Sequence, residues 1–105
     1  MVLSKNDVFE ILKRYKYRFE DDGVLIVGLF GSFSRDSADE TSDVDVLIET
    51  KPLFSKKYKG LRAIVKLSEI REFLEKQFQR DVDLIDKDIL VKNTNKHILQ
   101  KAIYV

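Results

Sequence analysis

The chain has no cysteine among its 105 residues. Disulfides, thiolate metal sites and thiol nucleophiles are therefore excluded together, and any metal must bind through oxygen or through the lone histidine, His97. The longest apolar run, Val24 to Phe30, is far shorter than the roughly 20 residues that a bilayer-spanning helix needs. The N-terminus also lacks a signal-peptide pattern. These absences predict a cytoplasmic protein that does not enter a membrane.

An excess of charge of one sign is also absent. The 19 basic residues nearly cancel the 18 acidic ones, which leaves a net charge of +1. No overall field attracts nucleic acid or a membrane surface, so direct nucleic-acid binding is not expected. The length predicts a single domain over residues 1–105, with no room for a second, substrate-binding domain. Function must therefore come from local groups of residues.

The hydrophobic pattern predicts six elements in the order helix, strand, strand, helix, strand, helix. The first helix begins at a capping box of Ser4 and Asp7 and carries apolar residues at helical spacing, namely Val8, Ile11, Leu12, Tyr15 and Phe19. The long middle helix has a stripe that we expect to face a sheet, formed by Ala63, Leu67, Ile70, Leu74 and Phe78 and widened by Ile64 and Phe73.

Three short runs rich in β-branched residues predict the strands, namely Val24 to Phe30, Val44 to Ile48 and Val82 to Ile85. A lysine-rich connection is expected between Pro52 and Gly60, and a closing helix from about Thr94 to Tyr104. The fold class that follows is α+β, with helices packed on a small mixed β-sheet.

Two aspartates at the start of the second strand are the first candidate for chemistry. Asp43 and Asp45 are two residues apart, so both carboxylates project from the same face of the strand. Neighbouring carboxylates repel each other unless a divalent cation lies between them, and oxygen ligands favour Mg²⁺ or Mn²⁺. Asp83 interrupts the third strand and could join them, although an edge-strand residue that faces water is the simpler interpretation of Asp83 alone. Three carboxylates could hold two ions, an arrangement suited to phosphoryl displacement.

A glycine-serine pair follows the first strand and precedes the aspartates by about ten residues. Gly31 lets a backbone approach phosphates closely, and free N–H groups at this turn together with the Ser32 hydroxyl could bind a triphosphate. Arg35 could add positive charge. A turn that binds anions next to a metal site is far more specific than either feature alone.

These motifs resemble the nucleotidyltransferases related to DNA polymerase beta, and among them the minimal nucleotidyltransferases, over most of the chain. The resemblance implies that Gly31 and Ser32 bind the triphosphate, that Asp43, Asp45 and Asp83 hold two Mg²⁺ ions, and that Asp83 is the general base. The fold would be that of the polymerase beta palm. One departure lies in the loop, where Ser34 and Asp36 replace the alanine and the second glycine of the usual motif; the acid could weaken nucleotide binding.

The resemblance also implies a substrate and a partner. Related small proteins act as antitoxins beside a helical HEPN-domain ribonuclease toxin, and some transfer AMP from ATP to a tyrosine of that toxin. We therefore expect a nucleotidyltransferase that modifies a partner protein. A binding-only antitoxin and an enzyme that acts on a small molecule are the alternatives.

Two further points stay open at this stage. Asp81 or Asp86 could replace Asp83 as the third ligand. A basic cluster, Lys56, Lys57, Lys59 and Arg62 beside Tyr58, could attract a nucleotide, RNA or an acidic partner, but we favour a solvated loop without a catalytic role.

Overall fold

Four strands form one mixed sheet in the computed structural model, which describes residues 4–31, 43–89 and 102–105. The strands are β1 (Val24–Phe30), β2 (Val44–Thr50), β3 (Val82–Asp86) and β4 (Ile103–Tyr104), and their spatial order is β3-β2-β1-β4. β1 is antiparallel to β2 and to β4, whereas β2 and β3 are parallel. The predicted α+β class is confirmed, and β1 has the bounds that its apolar run predicted.

The helices are α1 (Lys5–Tyr15), α2 (Pro52–Lys57) and α3 (Leu61–Phe78), with a 3-10 turn at Glu20–Asp22. α1 begins as predicted, since the Asp7 amide donates to Ser4 Oγ at 3.1 Å and the Ser4 amide donates to the Asp7 carboxylate at 3.0 Å. α2 occupies most of the segment that was expected to be an irregular connection, because Pro52 favours the first turn of a helix. No described helix has both the length and the apolar content that a bilayer crossing requires.

The core lies between one face of the sheet and the helices. Its fully buried residues come from α1, α3 and alternate positions of the strands, and they include Leu12, Ile26, Val44, Val46, Ile48, Ile70 and Leu74. Phe73 packs edge-on against Tyr15 and Phe19 at centroid distances of 5.0 and 5.5 Å, and all three side chains are partly buried against the core. The odd-numbered residues of β2, which include Asp45, extend from the opposite face of the sheet.

Two predictions about the packing are wrong. Ile64 does not widen the buried stripe of α3, because its side chain is 62% exposed. Ile103 and Tyr104 form a strand rather than the end of a helix. β4 pairs with β1 next to Gly28, where a Cβ would come within 2.6 Å of the Ile103 carbonyl oxygen, so glycine permits this close pairing. Residues 94–101 of the predicted closing helix lie outside the described residues.

Asp22 ties the turn before β1 to α2 and α3. Its carboxylate accepts hydrogen bonds from Tyr58 Oη and Lys57 Nζ, and Lys66 Nζ lies 3.2 Å from its other oxygen. The hydrogen bond from Tyr58 holds the pKa of Asp22 below its ordinary value against the opposing effect of burial, and the same bond raises the pKa of Tyr58. Lys57, one residue of the basic cluster, therefore has a structural role.

Candidate active site

The start of β2 brings Asp45 and Asp83 side by side. They are register partners on parallel neighbouring strands, and the Val44 amide donates to the Asp81 carbonyl at 2.9 Å, which fixes this register at its end. Adjacent strands lie about 5 Å apart, so the side chains of Asp45 and Asp83 extend from neighbouring backbone positions on the same face of the sheet. Asp43 directly precedes β2 and is exposed. The predicted proximity of the strand aspartates follows from the βαβ connection, in which α3 returns the chain parallel to β2.

Gly31 contacts the carboxylate of Asp45. It directly follows Phe30, the register partner of Asp45 on β1, and its φ of +77° is a left-handed conformation that favours glycine. A Cβ built on Gly31 would lie 2.1 Å from Asp45 Oδ2. The glycine of the predicted triphosphate turn and an aspartate of the predicted metal site thus lie against each other, as a shared site would require. Ser32, Arg35, Ser34 and Asp36 lie outside the described residues.

A divalent cation fits the chemistry of these residues. The donors are carboxylate oxygens, the ligands that Mg²⁺ and Mn²⁺ prefer, and the missing side chain at Gly31 lets the Asp45 carboxylate lie against the backbone of the turn. Within the described parts of the chain, no three acidic or histidine side chains already converge as a metal-binding group. Like charges repel, and side-chain rotation alone can separate carboxylates whose backbones are adjacent. Strand register supplies the backbone proximity, and a bound cation would have to draw the carboxylates together.

The two alternative third ligands differ in position. Asp86 is paired with Ile48, near the far end of β2, and its carboxylate accepts bonds from Thr50 Oγ1 at 3.0 Å and from the Asp88 amide at 2.9 Å. These contacts favour Asp83 over Asp86. Asp81 is exposed and directly precedes β3, so its position is compatible with the site. Asp83 is exposed on β3, at the edge of the four-stranded sheet, and is paired in register with Asp45.

Sequence reasoning missed a groove next to Asp83. It has a volume of about 270 Å³ and is lined by Ile64, Leu67, Ser68, Arg71, Asp83 and Leu84. The spacing of Ile64, Ser68 and Arg71 along α3 could have indicated a common outer face. That signal was hidden because Ile64 was assigned to the core.

Comparisons with known proteins agree with this geometry. The family model of the nucleotidyltransferase domain matches residues 7–105. The protein adenylyltransferase MntA of Thermococcus cleftensis is 30% identical over 105 residues, which cover 99% of this chain and 98% of that protein. MJ1379 of Methanocaldococcus jannaschii, provisionally named a protein adenylyltransferase, is 33% identical over 106 residues, covering 95% of this chain and 96% of that protein.

Two solved structures share the fold. One, provisionally described as a minimal nucleotidyltransferase, has a TM-score of 0.73 and 21% identity and covers 98% of this chain and 97% of its own. A crystal structure of a toxin-antitoxin with AMP-PNP has a TM-score of 0.53 and 19% identity, over 97% of this chain and 72% of its own. At this identity the likeness concerns the fold alone. The family match, together with the Gly31–Asp45–Asp83 arrangement, leads to one identification: the chain is an enzyme of the nucleotidyltransferase family with a minimal nucleotidyltransferase fold.

Proposed function

We propose that this chain is an Mg²⁺-dependent adenylyltransferase that transfers AMP from ATP to a tyrosine hydroxyl of a partner protein, and that this partner is a HEPN-domain ribonuclease toxin to which it is the antitoxin. The observation that carries the proposal is the contact of Gly31 with Asp45, which is itself the register partner of Asp83. The similarity to protein adenylyltransferases and to a toxin-antitoxin structure supports the acceptor class.

Each residue has a task in this reaction. Gly31 and Ser32 hold the triphosphate, and Arg35 adds positive charge next to it. Asp43, Asp45 and Asp83 would hold two Mg²⁺ ions. Bound there, the cations supply positive charge to the phosphate oxygens on which negative charge accumulates in the transition state.

The bond changes are those of an in-line displacement. The acceptor oxygen forms a bond to the α-phosphorus of ATP, and the bond from that phosphorus to the bridging oxygen breaks. Pyrophosphate leaves with the electron pair of that bond. Asp83 accepts the hydroxyl proton and releases it to solvent, a role for which its exposed position at the sheet edge is suitable.

Labelled ATP tests this proposal directly. ATP labelled at the α-phosphate is incubated with Mg²⁺, the chain and the protein encoded by the neighbouring reading frame, which the proposal expects to be helical. The variant Asp43→Asn/Asp45→Asn removes ligand charge with little change in volume, so we expect transfer to fall by at least about 1000-fold, because metal stabilisation of the transition state contributes several kcal/mol. Glu49→Gln is the control, since Glu49 lies on the same face of β2 as Asp45; it removes one negative charge from that strand, against two in the double variant.

The outcomes separate the alternatives. Label on a tyrosine of the neighbouring protein, present with Glu49→Gln and lost with the double variant, supports the proposal. A chain that binds the neighbour tightly but transfers no label would instead be a binding-only antitoxin. Label that appears only on an added antibiotic would identify a small-molecule acceptor.

A further inference from the structure

The outer face of α3 is unusually apolar in its first half. Leu61, Ile64 and Val65 are 79%, 62% and 56% exposed, and their spacing places them on the same side of the helix. A surface helix normally carries polar residues on this side. Contiguous exposed aliphatic residues are a common sign of an interaction surface. We call these three residues the α3 patch.

A groove lies on each side of the patch. The first, described above, contains Ile64 and Arg71 of α3 and extends to Asp83 on β3. The second is lined by Tyr58, Leu61, Arg62, Val65, Lys66 and Glu69. A chain segment laid on the patch could therefore insert side chains into both grooves. Through the first groove it would reach the residue that we propose as the general base.

The segment that contains the patch is strongly basic. Residues 51–71 contain seven basic residues and a single acidic one, Glu69, and so carry a net charge of +6 in a chain whose total is +1. Arg62 and Arg71 are exposed, and each lines one of the two grooves. Lys57 and Lys66 pair with Asp22, and Lys66 also pairs with Glu69. The cations beside the patch that bear on a partner are therefore Arg62 and Arg71. Two arginines that line the grooves favour an acidic partner over a second copy of this surface.

We infer that the α3 patch docks the protein acceptor through an acidic, amphipathic segment of that acceptor, with Arg62 and Arg71 pairing with its carboxylates. The inference rests on the proposed function and specifies the acceptor's chemistry. Aliphatic side chains favour a protein over RNA, because nucleic-acid interfaces are more polar and bind bases through aromatic stacking. The docked segment presents its hydroxyl at Asp83, so docking and proton removal occur at the ends of one groove.

A synthetic peptide tests the docking. It is fluorescein-labelled, places leucine and glutamate on opposite faces of a helix and carries one tyrosine. Its controls are a scrambled peptide, the same peptide with lysine for glutamate, and single-stranded RNA. Fluorescence anisotropy measures Kd over a series of salt concentrations. We expect the acidic amphipathic peptide to bind most tightly and to weaken as salt increases.

Matched variants locate the binding surface. Arg62→Glu/Arg71→Glu should raise Kd for the acidic peptide at least tenfold, whereas Lys13→Glu/Arg14→Glu, an equal charge change on the exposed end of α1, should leave it within twofold. Ile64→Ser should weaken binding more than Ile89→Ser, a substitution of an isoleucine of similar exposure (59%) beyond β3. Equal effects of both pairs, no preference for the acidic peptide or tighter binding of RNA would overturn the inference.

Transfer to the peptide tyrosine separates this inference from the proposed function. If both are right, the α3 variants raise KM for the peptide and leave kcat unchanged. Peptide that binds at α3 without receiving AMP would support docking and count against adenylyl transfer. Transfer that is insensitive to the α3 variants would keep the enzyme and remove the docking surface.

Discussion

Gly31→Ala is the most informative perturbation of this site, because the structure offers a control for its backbone effect. Gly31 and Gly60 both have positive φ angles, +77° and +61°. Gly60 combines its positive φ with a ψ of −129°, which lies outside the left-handed helical region, so alanine there costs about 1–3 kcal/mol, at least as much as the backbone strain at Gly31. A Cβ at Gly60 has nothing within 4 Å, whereas a Cβ at Gly31 would lie 2.1 Å from Asp45 Oδ2. Both variants therefore strain the backbone, and only Gly31→Ala also brings a methyl group against Asp45.

The geometry sets the expected size of the effect. Carbon and oxygen atoms that are not bonded approach to about 3 Å at best, so the Asp45 carboxylate must move by about 1 Å. A misplacement of this size at a reacting centre can cost about 100-fold in rate. We expect Gly31→Ala to lower nucleotidyl transfer about 100-fold, and Gly60→Ala to lower it less than twofold.

Two assays are needed to interpret the result. Urea unfolding compares the stability of the variants, and transfer of labelled AMP with Mg²⁺ compares their activity. The reasoning predicts a loss of stability in both variants and a large loss of activity in Gly31→Ala alone. It would be refuted if Gly31→Ala kept wild-type transfer, or if Gly60→Ala lost as much activity as Gly31→Ala.

Two further predictions concern stability. Asp22→Asn should cost about 1 kcal/mol at neutral pH, because the partly exposed carboxylate pairs with Lys57 and Lys66 and accepts from Tyr58. Because the pKa of Asp22 is lowered in the fold, the stabilisation from its carboxylate is complete above the ordinary value of 3.8 and is lost as the pH falls through the lowered pKa. Because the pKa of Tyr58 is raised, the stabilisation from its hydroxyl is complete below the ordinary value of 10.0 and is lost as the pH rises through the raised pKa. The difference in unfolding free energy between wild type and variant should therefore shrink in acid and in strong base, and a constant difference from pH 2 to 11, measured by urea unfolding, would contradict this. Leu74→Ala should lower the free energy of unfolding by about 2–5 kcal/mol, because Leu74 is fully buried. Leu61→Ala on the same helix should change it by less than about 0.5 kcal/mol, because Leu61 is exposed. Equal shifts of the urea midpoint would show that the core assignment is wrong.

Local patterns were sufficient where a single physical signal dominated. The apolar run of β1 has turn residues at both ends, and the capping box marks the start of α1 with two reciprocal hydrogen bonds. The alternation of β2 puts Asp45 on the face opposite to Val44 and Val46, as its sequence pattern predicts. In each case the residues that specify the element lie within a few positions of one another.

Long-range packing decided the features that were missed. Ile64 follows the helical spacing of the core stripe about as well as Phe73 does, and only the position of the sheet beneath α3 leaves one exposed and the other packed. β4 is two residues long, and its pairing depends on Gly28, some 75 residues earlier in the chain. Because Gly28 has no side chain, the backbone of β4 can approach β1 closely enough to pair with it. A pattern of two residues is too short to distinguish a strand from a helix end.

The pairing of Asp45 with Asp83 depends on both kinds of information. The alternation of β2 separates two tasks: Val44, Val46 and Ile48 enter the core, while Asp45 lies on the other face. Clustered charges are costly, and a domain of this size has little stability to spare. Core residues on the same strand hold the carboxylate in register without being part of the site. The site is therefore specified by the packing on the opposite face of the sheet, and a change in that packing would move Asp45 relative to Asp83 without altering either aspartate.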